Sequence, residues 1–257
     1  MMRVTRSIIP NLFTLANLFC GFNSIIASTS GEFERAAVFI LLAGIFDALD
    51  GVIARLVNST SEFGVELDSL CDAVSFGVAP AVMLYSVFFH EWLNWGILLA
   101  SLPALAGVLR LARFNVQLTS MEDKLYFRGM PIPSGALVIV SYIVSVHLTD
   151  IIPDTAKPLA IVAVTVLAAG AMVSTIKYDN LPRPTKQALR QRPLIFLVFL
   201  AGVVAAVFTK GRAIFPFMML YLIGGAIRHA IMVVRKRADE EEDDDTIEES
   251  ETDPFSL

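Results

Sequence analysis

Eight stretches of mostly apolar residues recur along the chain, at roughly 8–28, 35–57, 66–89, 94–116, 133–149, 157–176, 193–209 and 213–234. Each approaches the about 20 apolar residues that an α-helix needs to cross the hydrocarbon core of a bilayer. Short polar segments join most of them. The pattern predicts an all-α, polytopic transmembrane bundle of about eight spans, or a six-helix core if two stretches do not cross. Consecutive helices should pack as antiparallel neighbours. The stretch at 133–149 is short, and the second stretch is interrupted by two acids, Asp47 and Asp50. The first follows Arg3 and Arg6 in the manner of a secretion signal. The small residues after it make no convincing cleavage site and many apolar runs come later, so it is read as a retained first helix. Small residues such as Ala43 and Gly44, or Ala106 and Gly107, would let helix backbones approach closely in lipid.

Composition agrees, with 55% hydrophobic residues and a mean hydropathy of +0.65. The net charge of −5 is dominated by one end of the chain. Eleven of the 25 acids lie between Asp239 and Asp253, and without them 20 basic residues face 14 acidic ones. The chain therefore divides into a basic transmembrane domain, 1–237, and an acidic tail, 238–257, too polar to bury a core and expected to be disordered. With the N-terminus placed inside, 16 of the 20 Lys and Arg fall at inner ends of the spans. That asymmetry predicts both termini on the cytoplasmic side. No basic stripe with interleaved aromatics suggests nucleic acid. Cys20 and Cys71 have no partner spacing, and His90, His147 and His229 are scattered, so neither a disulfide framework nor a histidine metal motif is expected.

Chemistry concentrates in FDALDGVIARLVNSTSEFGVELDSLCDAVSFG. Asp47 and Asp50 are three apart and share one helix face, while Asp68 and Asp72 are four apart and share a face of the next helix. Two antiparallel helices bring all four to the same cytoplasmic end. Each unpaired carboxylate near the bilayer centre costs at least about 2.5–3.5 kcal/mol. A pair of hard divalent cations offsets that cost, and Mg²⁺ or Mn²⁺ favours carboxylate oxygen. Helix capping in water would account for Asp68 at a helix start but not for Asp47, deep in an apolar run. Gly51 and Ala54 leave a groove beside the carboxylates, and Arg55 can pair with phosphate. Outside this stretch, Asn11 and Thr14 are three apart at the inner end of the first helix. They are candidates either for bonding a nucleotide or for starting that helix. Arg110 and Arg113, with Asn115 and Arg128, are candidates for holding a donor phosphate or an acceptor carboxylate, or simply anchors of the positive-inside kind.

These residues spell D-x₂-D-G-x₂-A-R-x₈-G-x₃-D-x₃-D, through Asp47, Asp50, Gly51, Ala54, Arg55, Gly64, Asp68 and Asp72. The pattern resembles the signature of the CDP-alcohol phosphatidyltransferase family at every fixed position. IPNLFTLANLFCGF at 9–22, LRLARFN at 109–115 and YFRGMPIPSGA at 126–136 are similar to the phosphatidylserine synthase branch of that family. The resemblance implies transfer of a phosphatidyl group from CDP-diacylglycerol to L-serine, giving phosphatidylserine and CMP. It implies two Mg²⁺ or Mn²⁺ ions on Asp47, Asp50, Asp68 and Asp72, with Asp72 as the general base. Gly51, Ala54, Arg55 and Gly64 would line the nucleotide site. A homodimer in the cell's inner or plasma membrane, with its active site facing the cytoplasm, is expected on the same ground. Two other readings stand beside it. One keeps the family and changes the acceptor to glycerol 3-phosphate or inositol phosphate. The other is a divalent-cation transporter, which would need polar groups continuing toward the outer side.

Overall fold

The computed structural model describes residues 2–56, 61–119, 129–176, 178, 209 and 211–251. Among them every regular element is helical. α1 (Met2–Thr29) and α2 (Phe33–Leu56) form a hairpin. The turn closes because Gly31 adopts a φ of +77°. Its N–H then donates to the Ser28 carbonyl at 3.2 Å, and the Glu32 N–H to the Ala27 carbonyl at 2.9 Å. This double closure satisfies the last carbonyls of α1 and needs a left-handed residue that glycine supplies without strain.

α3 (Glu62–Asp72), a π-helical stretch Ala73–Val78 and α4 (Ala79–Val87) run on as one rod, Glu62–Val87. Ser61 starts it, its hydroxyl accepting from the Gly64 N–H at 3.0 Å. α5 (Leu93–Thr119) follows a short 3₁₀ turn, Phe89–Trp92. α6 (Ile132–Tyr142) continues as a π-helical turn, Ile143–His147. α7 (Lys157–Val173) and α8 (Ile214–Glu251) complete the bundle. Lys157, the first residue of α7, lies 2.8 Å from Asp154 in the preceding loop and holds that exposed carboxyl below its usual range.

Five helices are long and apolar enough to cross a membrane: Ile8–Thr29, Phe33–Ala54, Glu62–Val87, Phe89–Val116 and Ile214–Val233. Two shorter apolar helices, Ile132–His147 and Lys157–Val173, match the expected segments at 133–149 and 157–176. The expected segment 193–209 lies outside the described residues except for Thr209. α6 is short because it is central rather than lipid-facing. Ile132, Ala136, Ile139 and Ile143 are completely buried, and Met172 of α7 and Phe76 and Met83 of the α3–α4 rod belong to the same core. A helix wrapped by its neighbours has no need to match the bilayer by itself. The exposed large apolar side chains, such as Phe19, Phe22, Ile45, Leu105 and Leu220, coat the outside of the bundle. That is the surface of an integral membrane protein with lipid as its solvent.

The entry to α6 is tied to the end of α7. Gly129 donates to the Ile176 carbonyl at 2.8 Å and Met130 to the Ala171 carbonyl at 2.9 Å. Gly129 has a φ of +86°, and a Cβ there would collide with the Met172 carbonyl oxygen. The α8 backbone runs on as helix through Glu251. Its Glu, Arg and Ala are good helix formers, and they prolong a helix already nucleated in its apolar half.

Candidate metal centre

The four aspartates converge as the two spacings require. Asp47 and Asp50 belong to the second half of α2, and Asp68 and Asp72 to the second half of α3. Carboxylate oxygens of Asp47, Asp50 and Asp68 all lie within 4.8 Å of one another. Asp68 is seven residues into a helix capped by Ser61, so end-capping does not explain it. Asp72 stands one turn deeper and outside that group of three, but within electrostatic reach of all of its members. Asp50 and Asp72 are buried, at 8% and 7% exposure, and Asp47 and Asp68 are half-buried.

α1 closes the third side. The Thr14 hydroxyl donates to Asp50 Oδ2 at 2.8 Å and leans on the Pro10 carbonyl at 3.2 Å. One turn on, Asn17 Nδ2 donates to Asp72 Oδ1 at 3.0 Å. The Asn17 backbone carbonyl accepts from the Ser75 hydroxyl, also at 3.0 Å. Gly21 makes this approach possible, because its missing side chain leaves room for Ser75. α5 closes another side: Asn115 Nδ2 donates to Ser69 Oγ at 3.1 Å, beside Asp68.

Several polar atoms around the cluster have no partner. Asp68 Oδ1, Asn17 Oδ1 and Arg110 Nε are buried without a hydrogen bond. Native interiors rarely leave such atoms unmatched, so a knot of them marks a site shaped for something other than its own side chains. The donor set consists of hard oxygen ligands close together, which fits a divalent cation of the Mg²⁺ or Mn²⁺ kind. The ion pairs formed among the described residues, Glu32–Arg35 and Asp154–Lys157, lie at the opposite end of the bundle.

The other expected residues separate. Arg110 lies within electrostatic reach of Asp72 and of Tyr221 on α8. Arg113, one turn along, is exposed, and its guanidinium donates to the Val173 carbonyl at 3.1 Å, closing the end of α7. Thr14, read from sequence as a nucleotide contact, has its proton on Asp50. Asn11 and Gly64 adjoin: a Cβ on Gly64 would stand 3.6 Å from Asn11 Oδ1. Gly51 and Ala54 are half-buried on α2. The Arg55 side chain and Arg128 lie outside the described residues. Asn17, Ser69 and Ser75 were not singled out by the sequence reading. The signal for Asn17 was present, since it continues the three-residue spacing of Asn11 and Thr14 along an apolar helix.

Residues 7–176 match the CDP-alcohol phosphatidyltransferase family. The chain is 36% identical over 227 residues to a CDP-diacylglycerol–serine O-phosphatidyltransferase of Helicobacter pylori, covering 88% of this chain and 92% of the relative. It is 37% identical over 175 residues to an archaetidylserine synthase of Methanothermobacter thermautotrophicus, covering 67% and 70%. A third relative, a CDP-diacylglycerol–serine O-phosphatidyltransferase of Bacillus subtilis, is 33% identical over 181 residues, covering 70% of this chain and 95% of its own. The match spans α1 through α7, and with it all four aspartates and the α1 side chains that hold two of them: the chain belongs to the CDP-alcohol phosphatidyltransferase family.

Proposed function

We propose that this protein transfers the phosphatidyl group of CDP-diacylglycerol to L-serine, releasing CMP and forming phosphatidylserine. The observation that carries the reading is the group of three carboxylates within 4.8 Å, with Asp72 one turn deeper, in a membrane bundle. The names of the relatives supply the donor and the acceptor.

Asp47, Asp50, Asp68 and Asp72 hold two Mg²⁺ or Mn²⁺ ions. When bound, these ions offset the donor's pyrophosphate charge and stabilise the charge that develops on the departing CMP. The protein's own groups do the rest. The serine hydroxyl attacks the phosphatidyl phosphorus, a P–O bond to serine forms and the P–O bond to CMP breaks. A hydroxyl is a poor nucleophile while it keeps its proton, and Asp72 receives that proton during attack. Asn11, Thr14, Gly51, Ala54, Arg55 and Gly64 surround the nucleotide, Thr14 acting through Asp50. Arg110, with Asn115 and Arg128, faces the acceptor side, while Arg113 adds positive charge from its place at the end of α7.

The site opens to the cytoplasm, where serine and the nucleotide are found, and both termini lie on that side. The acidic run 238–257 is a cytoplasmic extension of the domain. The enzyme resides in the cell's inner or plasma membrane and acts as a homodimer. The deciding experiment is purified protein in detergent with CDP-diacylglycerol and a panel of acceptors, scored by CMP release. Release with serine and not with glycerol 3-phosphate is expected. Release with glycerol 3-phosphate alone moves the chain to another acceptor, and Mn²⁺ flux through vesicles without CMP release favours the transporter.

A further inference from the structure

We propose that two side chains one turn apart on α1 are positioning residues with different tasks: Thr14 fixes a metal ligand, and Asn17 fixes the base. The inference rests on the roles given above to the aspartates.

Thr14 and Asn17 share one face of α1, and each reaches a different helix. Thr14 holds Asp50, a member of the close group of three. Asn17 holds Asp72, which stands outside it. The contact to Asp72 is clamped twice. The Asn17 side chain grips Asp72 while its backbone carbonyl takes the hydroxyl of Ser75, three residues further along the same rod. Gly21, a turn beyond Asn17, lets Ser75 sit against the α1 backbone. α1 and the α3 rod are thereby keyed together at the depth of Asp72. One oxygen of Asp72 is held by the amide, which fixes the direction of the other.

Asn17 is a costly choice on stability grounds. It is completely buried, and its Oδ1 has no partner. A leucine of similar volume would remove that orphaned oxygen but would leave Asp72 Oδ1 without its donor, so the amide is there for the carboxylate. Turning the amide over would set its oxygen against the carboxylate, so the N–H side must face Asp72. A group retained at a cost, and aimed at one oxygen of a reactive carboxylate, points to orientation rather than to packing.

Purified variants separate the two tasks. Supporting groups of this kind typically alter metal affinity or activity by about 10–100-fold. Asn17→Leu should lower kcat by about that factor, with the KM for serine unchanged and the Mn²⁺ affinity read by electron paramagnetic resonance falling less than in Thr14→Val. Thr14→Val should weaken Mn²⁺ binding by a similar factor, and Thr14→Ser, which keeps the hydroxyl, should restore it. Asn17→Ala removes the amide donor without adding charge or a ligand, so it reads the same bond should the leucine variant not fold. An Asn17 variant that turns over at the parental rate overturns the proposal. So does an Asn17 variant that loses Mn²⁺ as Thr14→Val does. Asp72→Asn keeps the two readings apart: if it retains full turnover, the base assignment fails first. If it abolishes turnover while Asn17→Leu does not, only the inference about Asn17 fails.

Discussion

Arg110 and Arg113 look alike in sequence and part company in the fold, and serine kinetics should register the difference. The perturbation is Arg110→Ala. Arg110 Nε is buried with no partner, and the side chain lies within electrostatic reach of Asp72. A carboxylate arriving there would gain a charge-assisted bond shielded from water. Such bonds contribute about 1.5–3 kcal/mol, which is roughly ten- to a hundredfold in affinity. The KM for serine should therefore rise by about that factor, with the KM for CDP-diacylglycerol nearly constant. Arg110→Lys keeps the charge and loses the planar fork, so it should fall between the two. Arg113→Ala instead removes the bond to the Val173 carbonyl. It should leave the serine KM alone and lower stability by about 1 kcal/mol, the usual worth of one hydrogen bond. The assay is CMP release in detergent over a serine titration, beside a thermal melt of each variant. A serine KM that is unmoved in Arg110→Ala refutes the reasoning. A rise confined to the CDP-diacylglycerol KM reassigns the guanidinium to the donor's phosphates.

Three further outcomes are expected. Chelation should abolish CMP release and added Mg²⁺ or Mn²⁺ should restore it, while Asp47→Asn, Asp50→Asn and Asp68→Asn each lose most turnover in protein that still inserts; full rate in metal-free buffer contradicts the metal reading. Single-cysteine reporters at Gly31 and Asp154 should label from outside the cell and one at Glu62 only from inside, so labelling of Glu62 and Asp154 from the same side breaks the proposed orientation. Gly129→Ala should destabilise the bundle by about 1–3 kcal/mol, from a left-handed backbone and a Cβ driven into the Met172 carbonyl oxygen; a melting temperature equal to the parent's rejects that account.

Asp47 and Asp50 stood out as acids in an apolar run, and Asp68 and Asp72 through their spacing of four on the next helix. Spacings of three and four then fix a shared face with no further information. Residues whose meaning depends on a partner were not legible in this way. Nothing in LRLARFN distinguishes an arginine facing Asp72 from one closing the end of α7, because the difference lies in where α7 stops. Asn17 was hidden for a related reason: its role appears only once α3 is laid beside α1. The helices themselves were readable from apolar length, but the shortness of α6 was not, since it follows from being surrounded.

The π-helical stretch after Asp72 has a consequence for how this chain tolerates change in length. A π turn amounts to one extra residue accommodated within an α-helix. Each residue turns an α-helix by about 100°, so the stretch at Ala73–Val78 re-phases everything beyond it. Asp68 and Asp72 follow one angular register, and Phe76, Met83 and Leu84, which face the core, lie within or beyond the shift. Deleting a single residue between 73 and 78 would let the rod relax to an uninterrupted α-helix. The carboxylates would keep their aim, while the lower half of the rod rotated its apolar side chains out of the core. Catalytic face and packing face are thus two independently adjustable dials on one helix, and the π turn is the gear between them.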